Sequence, residues 1–576
     1  MPPRSQERTN HHESYRETAA DTLRTAPAGA GGGLFYRAEP LGGARQISDW
    51  VNQHTNYRIT LSALQHTLRQ PTVVQVNGFS LARAGQPPLL QSATLRLTFG
   101  WQQLSAPRHF SAIGLSGGKL TLTQDGIPPL PISAAALRLH DMQILWPHAD
   151  WPLQASDVDG GIVPLRPGSA KADFQFSATA LSIGDIPAKN VLVQGEYRDR
   201  QLWLNNLGAD VANGQMTAQA LRQTDGTWRI DNLRLSQIHW QSSQALQPFL
   251  HALQILPPLT LVRLDLLGAN LEGKGWALGG LDATLRNVSL ANGHWRSQKG
   301  SLTLNATDIV LGAMHLSDPL LSADLTPQGV TLRQFNTRWS NALIRTHGDW
   351  QRDNGHLTLN DLAVIGLEYT LPNAWRTLWL HPLPTWLQEI TLQRFSLSRT
   401  LLVDINPDFP FQMTALNGFG SHVTLARQRR WGFWQGQMQF NASEATFNKV
   451  DLRRPSATLQ ADNGTVRVSD LSAISQKGLL EASATLNQID SRLTLALHGR
   501  GVPVGQLDTW GWPALSTLQG DITLQLTLRA PLQADTPFRQ GVEATLQAQD
   551  AHGHTLHQRM VSGQLVAEAS PIAAED

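Results

Sequence analysis

The sequence predicts a mainly β protein: an elongated, antiparallel, hairpin-connected sheet curled into a groove (β-taco-like), with a few short helices. Three observations carry this. Apolar residues alternate with Thr, Gln and Arg at the two-residue period of a strand, as in Ile522, Leu524, Leu526 and Leu528. The alternating runs are short and end in turn dipeptides such as Asp225-Gly226, Asn354-Gly355 and Asn463-Gly464, the strongest short-range hairpin signal. Charged residues make up only 16% of the chain and hydrophobic ones 41%, against about 25% charged in ordinary soluble proteins. Neutral Thr, Ser, Gln and Asn replace the missing charge, which suits a strand's outer face better than a helix's.

Taken in order, residues 1–33 carry no strand or helix pattern, end in the small-residue run Ala26–Gly33 and read as disordered. From Leu34 the β pattern begins, with one amphipathic helix at Ala44–His54 carrying Ile47, Trp50, Val51 and His54 at helical spacing. Leu95/Leu97/Phe99, Leu120/Leu122 and Phe174/Phe176 mark strands of a first region, 34–200. A central region, 201–400, holds Leu302/Leu304 and Leu357/Leu359, a second helix at Ser242–Leu256 and a Trp-rich, Pro-interrupted helix or loop at Trp375–Leu387. A third, 401–540, holds Val466/Val468, Leu493/Leu495/Leu497 and the Ile522–Leu528 run, and 541–576 adds terminal strands and a polar tail. Gly117-Gly118, Asp125-Gly126 and Asn292-Gly293 read as further turns.

A repeat runs through this pattern. Leu202-x-Leu204-x-x-Leu207-x-Ala209…Gly214-x-Met216-x-Ala218-x-Ala220 aligns without gaps on Val330–Gly348 and again on Val466–Ala484. Each copy reads as strand, tight turn, returning strand, either as hairpins alike by length or as one serially extended architecture whose units touch mainly their neighbours. The apolar face of such a sheet must be covered, and so few helices do not cover it. Either a second sheet seals it into a dry sandwich, or it curls into a trough lined by residues such as Leu302, Leu304, Leu493, Leu495, Leu524 and Leu526. Alternation alone fits both.

Chemistry-bearing motifs are few. With no Cys, thiol catalysis, disulfides and cysteine metal sites are excluded. The net charge of +1 lacks the basic excess of a nucleic-acid binder. Gly114-Leu115-Ser116-Gly117-Gly118 fits the nucleophile-elbow spacing, but strand residues follow it and place Ser116 in a hairpin turn rather than at the strand-to-helix turn that chemistry needs. Gly268–Gly275 approaches a phosphate loop without its hydroxyl or its helix. Asp157-Val158-Asp159-Gly160 reads as a turn rather than a calcium loop. His552, His554 and His557 lack an evident carboxylate partner and read as a solvated strand. No nucleophile, base and oxyanion donor come together, so the chain is expected to be no enzyme and to carry no cofactor or metal.

Two aromatic clusters remain. Arg429 and Arg430, with Arg427, adjoin Trp431 and Trp434, and Trp375, Trp379 and Trp386 lie with Leu378 and Leu380. Indole beside guanidinium suits a lipid headgroup layer and also stacking on single-stranded nucleic acid; a surface hairpin with cation–π contacts and ordinary core tryptophans suit the same residues.

Gly43–Trp50, Tyr57-Arg58-Ile59, Pro71 and Val76–Leu81 together resemble the opening of AsmA-family proteins, and Gly366–Pro372, Asp404–Pro410, Ala445–Asn448 and Gly501–Val504 resemble one branch of that family. The resemblance implies an envelope protein of Gram-negative bacteria, anchored in the inner membrane with its bulk in the periplasm. It further implies roles in outer-membrane biogenesis, in regulating protein targeting to membranes, and in phospholipid transport along an apolar β groove. Phospholipids or a membrane surface, and envelope proteins, are the partners it implies; nucleic acid is not. The family's anchor is expected to end near Gly33-Leu34-Phe35-Tyr36, where this sequence has a polar stretch, which we read as a wrong start or a shifted frame. The alternative to a lipid-carrying groove is a periplasmic interaction scaffold with a dry core.

Overall fold

Strands dominate the computed structural model, which describes residues 43–566 apart from 68, 124–131, 148–151, 167–169, 185, 249–257, 292–293, 408–409, 510–511, 513–516 and 533–537. The expectation for residues 1–33, the turns at Asp125-Gly126 and Asn292-Gly293, and most of the helix at Ser242–Leu256 lie outside these; 246–248 is helical. The chain forms two units, Met1–Leu145 with Pro164–Pro167, and Trp146–Val163 with Gly168–Asp576.

In the first unit the helix Gly43–His54 precedes strand Tyr57–Thr60. Asn52 ties the two: its Nδ2 donates to the Ile59 carbonyl at 3.2 Å and its Oδ1 accepts the Ile59 N–H at 2.7 Å. Tyr57–Thr60 and Ala63–Thr67 pair with the two halves of Gln70–Arg83, which pairs with Pro88–Thr98 and that with Ala112–Thr121, all antiparallel. Leu137–Trp146 then joins Ala112–Thr121 in parallel. Val76, Leu95, Leu115 and Leu139 are cross-strand partners in one row, and all four are buried. Such pairs are the unit of sheet stabilisation. Ser116 lies mid-strand opposite Thr94, not in a hairpin turn as expected; Gly117, at φ 61°, is a left-handed residue within the strand, and the register is the same on either side of it. No helix follows, so the elbow geometry is missing.

In the second unit the long strands from Leu153–Val163 to Thr555–Val561 pair in chain order, followed by Gln564–Val566. The short strands His239–Gln241, His294–Trp295, Asp308–Leu311, Glu368–Thr370 and Glu444–Phe447 pair farther along the same long strands. Asp157–Gly160 belongs to the first of these strands, with Asp157 left-handed at φ 51°, so the expected turn is a kink within a strand. The short side chain of Asp tolerates that conformation. Two-residue hairpin turns such as Ala212-Asn213 (φ 48° and 61°) and Ser340-Asn341 (φ 46° and 64°) are left-handed at both positions, the twist that matches a hairpin.

The three repeat copies adopt one structure. Each is a hairpin, Gln201–Val211 with Gly214–Arg222, Gly329–Trp339 with Ala342–Gln351, and Thr465–Ser475 with Gly478–Asn487. Each carries a register shift at the same place, between Leu204 and Leu207, Leu332 and Phe335, and Val468 and Leu471. After the first two hairpins the chain runs up one more strand, crosses over, and re-enters parallel: Trp228–Ser236 against Leu259–Gly273, and His356–Ile365 against Glu389–Asp404. Parallel neighbours need such a crossover of a dozen or more residues. After the third hairpin the equivalent segment does not cross. Arg492–Pro503 and Asp521–Pro531 pair antiparallel, and the intervening chain folds Leu507, Trp512 and Leu518 onto Ile522, Leu524 and Leu546. Leu524 and Leu546 are left 1% and 0% exposed, so the last strands end in a sealed plug, as the terminal unit of a repeat stack requires.

Candidate functional site

Side chains alternate between faces along each strand, and the register of the second unit aligns the inward ones into rows. One runs Phe176, Val193, Leu207, Ala218, Leu233, Leu264, Leu285, Leu302, Ala323 and Leu332, each residue the cross-strand partner of the next. It continues through Gly348 and Leu359 to Leu392 and Val423. A second runs Leu235, Leu266, Ala283, Leu304, Leu321, Phe335, Thr346, Leu362 and Phe395. It goes on through Gly420, Met438, Leu459, Val468, Ala484, Leu495 and Leu528. Apart from Thr346 the second row is apolar or glycine throughout.

Most of these side chains are half-buried: neither sealed nor open to water. Buried clusters flank them toward the strand ends, with Ile238, Ala269 and Leu281 at one end and Leu259, Leu261 and Val288 at the other. Of the groove-lining candidates, Leu302, Leu304, Leu493, Leu495 and Leu526 are half-buried on this face, and Leu524 is inside the plug. The small residues Ala218, Ala323, Gly348 and Ala484 interrupt the larger side chains of the rows. The outward positions are polar: Asp265 accepts from Arg263 Nε at 2.7 Å and Thr284 Oγ1 at 3.0 Å. Burial pushes that carboxyl upward, but those two bonds and the positive charges of Arg263 and Arg286 outweigh it and hold its pKa low.

The strands under this face are bowed. Trp375, in the short helix Trp375–Leu378, donates from Nε1 to Asp404 Oδ2 at 3.1 Å, at the far end of strand Glu389–Asp404. Trp379 stacks at 5.3 Å on Trp431, which pairs with Ala426, itself the partner of Ile390 near that strand's start. Extended, sixteen residues would span about 50 Å, while Trp375 and Trp379 are one helical turn, about 6 Å, apart. Register shifts at Ile390/Thr391, Leu397/Thr400 and Thr400/Leu402 bend the strand, and that bend together with the reach of the side chains lets both contacts form.

The interface candidates thus divide. Trp379, Trp386, Arg429, Arg430, Trp431 and Trp434 gather near the start of Glu389–Asp404, whereas Trp375 is bonded at the other end. Trp379 and Trp386 stand 51% and 58% exposed beside Leu380 at 65%. Arg429 Nε donates to the Leu383 carbonyl at 2.7 Å. Trp434 is buried under the Arg430 guanidinium, 5.8 Å from its ring centre. Trp386 meets Trp350 edge-on at 6.0 Å, and Trp350 lies 6.1 Å from Trp295. Sequence reasoning missed Trp350 and Trp295 as members of this cluster, because only register brings them there.

It also missed Trp101 and Leu104, 91% and 85% exposed on a one-turn 3₁₀ helix; their three-residue spacing, which eclipses side chains in such a turn, was the available signal. The histidines near the C-terminus have a carboxylate after all: His554 Nδ1 lies 2.8 Å from Asp550 Oδ2, which is fully covered. Among the described residues no group of three or more His, Cys, Asp and Glu is placed to hold a metal, and no helix is long and apolar enough to cross a membrane.

No family model matches the sequence. The chain is 42% identical over 537 residues to the AsmA family protein YicH of Escherichia coli (strain K12), covering 92% of this chain and 94% of that protein. Identity at this level over nearly the full length of both proteins, together with the β-rich, hairpin-connected sheet, establishes that the chain belongs to the AsmA family.

Proposed function

We propose that this protein is a non-enzymatic envelope component whose apolar trough holds phospholipid acyl chains, on the periplasmic side of the inner membrane, in support of outer-membrane biogenesis. The observation that carries the reading is the pair of cross-strand rows of half-buried leucines. A dry sandwich leaves interior leucines as covered as Leu524 and Leu546, and a flat exposed face leaves them open to water; a curved sheet lined by mutually shielding side chains gives the state in between. Burying each methylene of an acyl chain on that face is worth about 0.8 kcal/mol, so a chain lying across many strands is held without any polar contact. Family membership supports the envelope compartment and the link to outer-membrane biogenesis and protein targeting that this reading adopts.

Native mass spectrometry of protein purified without detergent tests this. The expected result is a population heavier by one or more phospholipids. Leu285→Asp and Leu332→Asp are expected to remain folded by circular dichroism, since a half-open trough hydrates a charge that a sealed core does not, and to lose the added mass. A clean unliganded mass for the wild-type protein, with tight capture of an envelope protein, would instead establish the dry scaffold.

A further inference from the structure

We propose that the crossover segment 371–388 is a docking surface for an anionic lipid bilayer. The segment has two apolar sides. Leu383 and Leu387 turn inward and are buried with Ile390 and Ala426, against Trp350, Leu357 and Trp431. Trp379, Leu380 and Trp386 turn outward and stand more than half exposed, although the same segment already has its core contacts. Its backbone is fixed: Leu383 N–H donates to the Arg429 carbonyl at 2.8 Å and Arg429 N–H to the Gln388 carbonyl at 2.9 Å. The outward side chains are therefore presented on a rigid platform, and their exposure belongs to the folded state.

Charge selects the occupant. Arg352, Arg427, Arg429 and Arg430 stand on the turns beside the patch, opposed by Asp353 and Glu389, in a chain whose net charge is only +1. Arg352 lies over the Trp295 ring at 4.1 Å, as Arg430 does over Trp434 at 5.8 Å. Indole rings with guanidinium groups match the headgroup layer, where the ring meets the upper acyl region and the cation meets phosphate. An exposed leucine between two tryptophans adds depth that a polar protein partner does not reward. This contact stands independently of whether lipid fills the trough, because its test reads attachment to vesicles and not acyl occupancy.

The full-length protein is sedimented with phosphatidylcholine vesicles and with vesicles containing phosphatidylglycerol. Wild type is expected to bind the anionic vesicles preferentially. A Trp379→Ser/Leu380→Ser/Trp386→Ser variant is expected to lose roughly tenfold or more in partitioning. Arg427→Gln/Arg430→Gln keeps residual binding but loses the preference for phosphatidylglycerol and most of the salt sensitivity. Trp101→Ser/Leu104→Ser binds as wild type. Should the triple variant lose its strand signal by circular dichroism, Leu380→Ser alone decides, with a smaller loss of the same sign. Failure of the wild type to bind, unchanged binding in the patch variants, or a loss that follows Trp101 and Leu104 instead would overturn the assignment.

Discussion

At the end of strand Glu543–Asp550 a single carboxylate organises a whole turn. Asp550 Oδ1 accepts the backbone N–H groups of His552 and His554, both at 2.9 Å, and Oδ2 accepts Gln519 N–H at 3.3 Å and faces His554 Nδ1 at 2.8 Å. Burial pushes this carboxyl upward, but these bonds more than offset it and lower its pKa to about 2, from an ordinary 3.8. A folded value below the unfolded one means that the native state binds fewer protons between the two, so stability rises with pH through that window. Asp550's contribution is complete above about pH 4 and lost as pH falls through about 2. Asp550→Asn is therefore expected to melt below wild type at neutral pH, with the gap between the two closing as pH drops from about 4 to about 2. Melting curves across pH check this; a constant gap down to pH 2 would count against it. The neighbouring histidines were visible in the sequence without this partner, because a residue that caps a turn carries no periodic signature.

At the scale of elements, the strands were legible wherever alternation repeats, as in Ile522–Leu528, and so were the hairpins closed by Asp225-Gly226, Asn354-Gly355 and Asn463-Gly464. Gly117-Gly118 and Asp157–Gly160 misled, because a left-handed residue can sit inside a continuous strand as well as in a turn. The parallel crossovers escaped because alternation has a period but no direction; the long spacer before Leu259 and before Glu389 was the only trace. Which leucines share one face was readable, but how far each is covered depends on what folds over it. Trp375 and Trp379 were grouped by sequence proximity, and the bowed strand sends their contacts to opposite ends of Glu389–Asp404. That arrangement makes Trp375 a clamp between crossover and sheet. Asp404 is nearly fully buried, so Trp375→Phe leaves its Oδ2 without the indole donor. A buried acceptor so deprived costs about 1–3 kcal/mol. Urea unfolding is expected to show a loss of that size, with Trp379→Phe, which keeps an aromatic ring on Trp431, costing less.

Across the second unit as a whole, each long strand pairs with the long strands before and after it, and the apolar rows are continuous only because neighbours pass the register along. Stability in such a stack is approximately a sum of local terms and nearest-neighbour interfaces, so damage at one place should not propagate far. The plug offers the sharpest test, since Leu546 is fully enclosed by Ile522, Leu524 and their neighbours. Leu546→Ala removes buried volume that cannot easily collapse, at a cost of about 2–5 kcal/mol. Hydrogen exchange followed by mass spectrometry should show that cost as lost protection in Asp521–Pro531, Glu543–Asp550 and Thr555–Val561. The strands Leu259–Gly273 and Trp276–Ala291 should exchange as in wild type, because local opening is graded by local contacts. A uniform loss of protection over the entire unit would mean that the sheet unfolds as one cooperative body. Graded exchange would instead mean that each segment of the sheet opens by itself, as nearest-neighbour coupling requires.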